Sequence, residues 1–384
     1  MLAIATPDLE ELRMTGSRGA PARTAPVAAP VTVTGLAQRQ AWRARELPPV
    51  EEVRSGVWSV PVTIPDNPLR YTLAYLLLSD TGAVVVDPGW DHERGWEDLM
   101  AGFAAAGLPA DRVTGIVVTH VHLDHHGLSR RLSEGSGAPI AMHAAEVDAL
   151  PSRIKEATES DAMQTWLARC GAPADVMADF NSDLAEMLGV FRLAEPDVLL
   201  NDGDALDLPG RRVRVVWTPG HTPGHICLHD ADHDVLLTGD HLLPRISPNI
   251  GLTPGSKDAP LASYLDSLRA LGGYDSAEAL PAHEYRFRGI AGRAGTLIEH
   301  HDVRAREVLD VIAASDYATV WDVTTRLTWS RGWDQINGFM RRAALFETAA
   351  HIQYLEQEGR LAIRAGAPGE PDRLEVLPVI PPGG

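Results

Sequence analysis

The chain has 384 residues, 45% hydrophobic and 22% charged, an ordinary globular composition that excludes a collagenous, coiled-coil or wholly disordered chain. Its 34 basic and 52 acidic residues give a formal charge of −18, which opposes attraction to phosphate backbones and anionic lipid. Cys170 and Cys227 are too few for a disulfide framework or a thiolate zinc site, and fifteen histidines are the more informative count.

No run reaches the roughly 20 apolar residues that cross a bilayer. Pro7, Asp8, Glu10 and Glu11 interrupt any signal-peptide pattern. The expectation is a cytoplasmic protein without membrane contact.

Residues 1–50 are rich in Ala, Pro, Thr and Arg and read as a flexible leader. Apolar β-type runs follow at 56–62, 71–78 and 83–86, the last ending in Asp87-Pro88-Gly89. Residues 93–106 read as a helix and 113–119 as a buried strand. After a short strand at 139–142, residues 144–196 read as a mostly helical insertion carrying Met163, Trp166, Leu167, Met177, Phe180, Leu184, Met187 and Leu188. Strands return at 198–200, 212–217, 226–229, 235–237 and 279–281. This alternation implies sheets with helices packed outside. From about residue 296, helices at 299–314, 320–327 and 336–358 precede short runs at 361–364 and 374–377. The third helix carries Leu345, Ala349, Ile352 and Leu355 on one face. Three helices and a hairpin resemble a winged-helix module. The expected domains are therefore a leader (1–50), a main domain (51–295) and a small C-terminal domain (296–384).

The chemistry concentrates in His120-Val121-His122-Leu123-Asp124-His125, directly after the apolar run Ile116–Thr119. Imidazoles and a carboxylate at this density suit a borderline-soft cation such as zinc. At a strand end His120 and His122 project to one side, and the following turn lets Asp124 and His125 face the same cavity. Further donors sit at later strand ends: His221 in Thr218-Pro219-Gly220-His221, Asp240 in Thr238-Gly239-Asp240 and His283 in Pro281-Ala282-His283.

In this order of motifs, over about residues 56–295, the sequence resembles the metallo-β-lactamase superfamily. The resemblance implies a four-layer αβ/βα sandwich of the α/β class. It assigns one zinc to His120, His122 and His221, a second to Asp124, His125 and His283, and a bridge to Asp240. Asp87 and His225 would orient ligands from behind, and His126 is a residue of the surroundings or the surface. His143, His229, His233 and His241 read as ordinary polar residues, and Cys227 as core. Two cations about 3.5 to 4 Å apart share a hydroxide that is nucleophilic at neutral pH. The implied protein is thus a metal-dependent hydrolase with two zinc ions per chain, iron or manganese being the alternatives, and with Asp124 and Asp240 as its catalytic carboxylates.

The segment Thr218-Pro-Gly-His-Thr-Pro-Gly-His225 is similar to that of the glyoxalase II branch, which points to a small thioester, ester or lactone. The competing reading is a metal-dependent endoribonuclease or phosphodiesterase, because a β-lactamase-like domain followed by a winged helix resembles a group containing a mitochondrial endoribonuclease. Nucleic acid is disfavoured by the acidic charge and by the lack of a basic face on the C-terminal module, which reads instead as a packing or dimerisation element. Trp90, on the loop after Asp87-Pro88-Gly89, and Arg245, Tyr285, Arg286 and Arg288, which flank ligand-bearing strand ends, are the candidate substrate contacts.

Overall fold

The structure, a computed structural model, describes residues 31–150, 162–174, 176–177, 193–254, 256, 258–315 and 318–378. The chain divides into two compact units: residues 1–150, 191–248 and 267–297, and residues 151–190, 249–266 and 298–384. In chain order the elements begin β1 (Thr32–Val33), α1 (Leu36–Ala44), β2 (Glu51–Arg54), β3 (Val57–Thr63), β4 (Tyr71–Leu78), β5 (Ala83–Val86), α2 (Glu93–Ala105) and β6 (Val113–Val117). They continue with α3 (Leu123–His126), α4 (Ser129–Ser136), β7 (Ile140–His143), α5 (Ala162–Arg169), β8 (Val198–Leu200), β9 (Val213–Trp217), β10 (Ile226–Asp230) and β11 (Val235–Gly239). The last are α6 (Pro260–Leu271), β12 (Glu278–Pro281), β13 (Phe287–Arg288), α7 (Ile290–Ala313), α8 (Val320–Arg326), α9 (Gly338–Gln357), β14 (Leu361–Arg364) and β15 (Arg373–Val376).

The first unit is built on two mixed sheets. One runs β2-β3-β4-β5-β6-β7-β8 and the other β1-β13-β12-β11-β10-β9. Strand β4 explains how they pack. Its Tyr71, Leu73, Tyr75 and Leu77 join a core that also holds Val213, Val215, Ile226, Leu228, Val235 and Leu237 of the second sheet. The alternate residues Ala74 and Leu76 join Leu99 and Phe103 of α2 and Leu132 of α4 on the other face. A strand buried on both faces reads as a continuous apolar run, which is why β4 was visible in the sequence. Strands β5 and β6 are parallel, as are β11 and β12. Parallel pairing sets the carboxyl ends of these strands at one edge of each sheet, and the donor-bearing loops leave from those ends.

The leader reading of residues 1–50 needs correction for 32–50; residues 1–30 lie outside the described set. Strand β1 pairs with β13, Thr32 opposite Arg288 and Val33 opposite Phe287. In α1 the Gln38 side chain is fully buried, its Nε2 donating to Ser59 Oγ (3.0 Å) and its Oε1 accepting from Arg286 N (3.0 Å). Trp42 meets the Tyr71 ring edge to face at 5.9 Å. Composition averaged over the whole segment hid this local packing, because the partners lie far along the chain.

In the second unit the helical order expected for the C-terminal module is present, as is the antiparallel hairpin β14-β15. The expected boundary at 295/296 falls inside the continuous helix α7. Thr319 and Asp322 form a capping box at the start of α8. Leu345, Ala349, Ile352 and Leu355 of α9 are all buried. Of the helical insertion expected over 144–196, α5 is described, whereas Phe180, Leu184, Met187 and Leu188 lie outside the described residues. Among the described residues no helix is long and apolar enough to cross a membrane.

Candidate metal centre

Strand β6 ends at Val117, and the loop after it delivers His120, His122, Asp124 and His125, the last two from α3. The loop after β9 carries His221, Asp240 follows β11, and His283 follows β12. Seven side chains from four strand ends meet in the first unit.

They fall into two sets of ligand atoms, each set lying within 4.8 Å: His120, His122, His221 and Asp240, and Asp124, His125 and His283. Asp240 touches both. Its Oδ2 stands 3.9 Å from His120 Nε2 and 3.7 Å from His221 Nε2, and its Oδ1 stands 3.5 Å from His125 Nε2 and 3.1 Å from His283 Nε2. His122 Nδ1 lies 3.1 Å from His221 Nε2, and Asp124 Oδ2 lies 3.4 Å from His283 Nε2.

Whether a cation fits is tested by the atoms themselves. Buried polar groups are normally hydrogen-bonded. Here His120 Nε2, His125 Nε2, His283 Nε2, both oxygens of Asp124 and Asp240 Oδ1 are buried with no hydrogen-bond partner. Partnerless imidazole nitrogens and carboxylate oxygens aimed at common points are the donor set of a divalent metal site. The residues fit such an ion.

The far sides of three of the rings are anchored, and the anchors fix the orientation of those rings. Asp87, with φ at 51° in the left-handed region that Asp tolerates, accepts from Thr119 N and Thr119 Oγ1 (both 2.7 Å) and from His125 Nδ1 (2.8 Å). Because the Thr119 hydroxyl proton goes to Asp87, His120 Nδ1 must donate to Thr119 Oγ1 across 3.0 Å. His283 Nδ1 donates to the Tyr71 carbonyl at 2.9 Å. Three rings therefore have Nδ1 engaged on the outer side and turn Nε2 inward. His225 Nε2 accepts from Asp240 N (3.2 Å) while its Nδ1 meets Thr218 Oγ1 (2.8 Å), so it steadies the bridging residue.

Electrostatics divides the cluster. Burial and the neighbouring imidazoles hold His120 and His122 well below the usual histidine range. For His283 burial opposes the charge, but Asp240 and Asp124 carry it up to about 10. Burial works against ionised Asp240 as well, yet His283 and His125 keep it well below the usual carboxylate range. The carboxylates are thus ionised at neutral pH, as ligation requires.

The other candidates have partners of their own. Arg286, expected to contact substrate, is instead buried in ion pairs with Glu278 (2.6 Å) and Glu51 (2.7 Å). Closeness in sequence to His283 did not put it on the same face. Arg245 Nε donates to Glu284 Oε1 at 3.0 Å, and its guanidinium stands 5.9 Å from the Trp42 ring. Trp90 packs on Ile64, Leu69, Leu243 and Ile246, and Tyr285 is nearly buried. His126 is fully buried, joined to Ser129 Oγ (2.8 Å) and the Ala194 carbonyl (2.9 Å), and so is not at the surface. His143 stacks on Trp217, His229 meets Tyr274 edge on, His233 pairs with Asp230, and His241 is buried. The Cys227 thiol is buried and pushed up to about 12. Sequence reasoning missed Thr119, Thr218, the Tyr71 carbonyl and Glu146. Hydroxyls, carbonyls and a lone glutamate carry no spacing signal.

A family model described as the metallo-beta-lactamase superfamily matches residues 67–283. The chain is 30% identical over 166 residues to a Bos taurus protein named acyl-coenzyme A thioesterase MBLAC2, across 41% of this chain and 53% of the relative. It thus spans about half the length of that relative. A crystal structure of the metallo-beta-lactamase family protein TTHA1429 from Thermus thermophilus superposes with a TM-score of 0.70 at 30% identity, covering 85% of this chain and 100% of the other. A beta-lactamase domain protein from Burkholderia ambifaria gives a TM-score of 0.74 at 26% identity, covering 90% and 98%.

Proposed function

The chain belongs to the metallo-β-lactamase superfamily, and from that premise we propose that it is a metal-dependent hydrolase of small acyl thioesters or related esters, working with two zinc ions. The observation that carries this reading is the convergence of buried, partnerless donor atoms from His120, Asp124, His125, Asp240 and His283. His120, His122 and His221 would hold one ion and Asp124, His125 and His283 the other, with one oxygen of Asp240 for each. When bound, the ions supply a nucleophile from water at neutral pH and a Lewis acid for the acyl oxygen. The chain's own share is orientation. Asp87 keeps the protons of His120, through Thr119, and of His125 on the outer nitrogens, and Tyr71 does the same for His283. Trp90 and Tyr285 remain the proposed substrate contacts.

The thioester class is supported by the name of the bovine relative and by the Thr218–His225 segment. We read the C-terminal helices and hairpin as winged-helix-like, which is the feature that would favour an endoribonuclease. Three of its arginines are engaged within it: Arg304 with Glu307 and the Thr328 carbonyl, Arg306 with Glu299, and Arg341 with the Ile336 carbonyl. Phosphate binding needs cations that can turn to the ligand.

The test is a screen of zinc-loaded protein against acyl-CoA thioesters, lactones, aryl esters and single-stranded RNA, with metal content measured on the same sample. Thioester turnover lost on Asp240→Ala supports the reading. Salt-sensitive RNA cleavage lost with the same variant overturns it, and so does one iron per chain with oxidative rather than hydrolytic products. Sedimentation tests the further expectation of a homodimer through the C-terminal unit.

A further inference from the structure

Glu146 is fully buried in the first unit, in the turn that follows β7. Both of its carboxylate oxygens are spent on backbone amides. Oε2 accepts from Val121 N at 2.9 Å, and Oε1 accepts from Gly224 N at 2.7 Å. Val121 stands between His120 and His122. Gly224 stands three residues after His221 and directly before His225, which in turn accepts from Asp240 N. One side chain therefore joins the two loops that carry the three histidines of the first set, and through His225 it reaches the set's carboxylate.

Gly224 supplies an independent observation. A Cβ there would stand 2.5 Å from Glu146 N and 2.8 Å from Glu146 Cγ. The glycine is needed for the approach of this turn, which gives the second glycine of Thr218-Pro-Gly-His-Thr-Pro-Gly-His225 a physical reason. The second set has different supports: Asp87 behind His125 and the Tyr71 carbonyl behind His283. Asp87 also reaches His120 through Thr119, so it serves both sets, whereas the amides held by Glu146 sit beside histidines of the first: Val121 between His120 and His122, and Gly224 in the loop of His221, with Asp124 and His125 following further along in α3.

We propose that Glu146 is a positioning residue that clamps the His120–His122 loop to the His221 loop and so fixes the first metal-binding set before an ion arrives. This rests on the metal centre proposed above. Without the clamp two buried amides lose their acceptor and the 3.1 Å approach of His122 Nδ1 to His221 Nε2 is no longer imposed by the protein. Outer partners of metal ligands typically change affinity by about 10- to 100-fold.

Zinc affinity is measured by chelator competition in wild type, Glu146→Gln and Gly224→Ala, each alone and combined with Asp124→Ala, which disables the second set. Glutamine keeps the shape but offers a single acceptor, so one amide faces an N–H group. The expected result is an affinity about 10- to 100-fold weaker for one ion, with the other within about twofold, and the same weakening for the ion that survives Asp124→Ala. Gly224→Ala weakens the same ion. Folded variants that keep both affinities, or lose both equally with a falling Tm, overturn the clamp. Hydrogen exchange on the metal-free wild type needs no variant: the Val121 and Gly224 amides should be protected, and exchange at open-loop rates overturns the proposal. If wild type holds only one ion, the two-metal reading fails by itself, and Glu146→Gln is judged on that ion.

Discussion

Each unit buries a histidine cluster, and the two behave in opposite ways. In the first, Nε2 of His120, His125 and His283 turns inward without a hydrogen-bond partner, and carboxylates from Asp124 and Asp240 meet it. In the second, His301 Nδ1 and His351 Nε2 are 3.2 Å apart, His351 Nδ1 donates to the Glu347 carbonyl (2.8 Å), and a Glu347 carboxylate oxygen is held by Asn249 Nδ2 (3.1 Å). His301 Nε2 also lacks a hydrogen-bond partner there, but among the described residues no set of ligand atoms gathers around it. Residue types are shared. What separates a metal centre from a polar core is whether the lone pairs converge on one point or are used up on one another.

The sharpest way to break this contrast is to remove the residue that joins the two ligand sets. Asp240→Ala should empty both sites and lower kcat/KM by about 10³-fold or more, equivalent to about 4 kcal/mol. Metal analysis beside the assay checks it, and retained metal with retained turnover would remove the distinction. Asp124→Ala should lose the second ion first, because its carboxylate belongs to that set alone.

One step out, Asp87→Ala frees the outer nitrogen of His125 and the Thr119 hydroxyl that orders His120. Both ions should bind about 10- to 100-fold more weakly with the fold intact, as seen by chelator competition and circular dichroism. A variant that loses stability but not metal would make Asp87 a core residue like His351.

A purely structural group gives the opposite readout. Gln38→Ala leaves the Ser59 hydroxyl and the Arg286 amide without their partner and should cost about 1 to 3 kcal/mol of stability, with metal content unchanged. Deleting residues 1–45 removes β1 and α1 as well and should lower Tm further. An unchanged Tm would return this segment to a leader.

The smallest effect is a pH slope. Burial, reinforced by nearby cations, holds His351 down to about 3 and His301 well below its ordinary value of 6.5. Below about pH 6.5 the unfolded chain takes up protons that the folded one refuses, so this contribution to stability is present above 6.5 and is lost as pH falls toward 3. Glu347, raised by burial, works the other way: the folded state keeps its proton above 4.5, and that contribution is lost as pH rises through the raised value. Replacing His301 and His351 with Phe and Leu should flatten the acid slope in denaturant titrations without altering metal content. An unchanged slope would show that these rings do not govern it.

The sequence by itself determined the apolar central strands and the candidate donors. Strands at 71–78, 83–86 and 198–200 have the bounds expected, because a buried strand needs a local apolar run whatever its neighbours are. The seven donors at strand ends were legible for a similar reason, since a metal requires particular residue types and these repeat at turns. Tertiary structure alone decided which side chains stand behind them. Arg286 is adjacent to a ligand strand end and yet serves an ion pair, Gln38 in an apparently featureless segment is fully buried, and Glu146 joins loops about 25 and 78 residues away along the chain. These roles depend on backbone amides and carbonyls, which every residue carries, so no pattern of side chains could announce them.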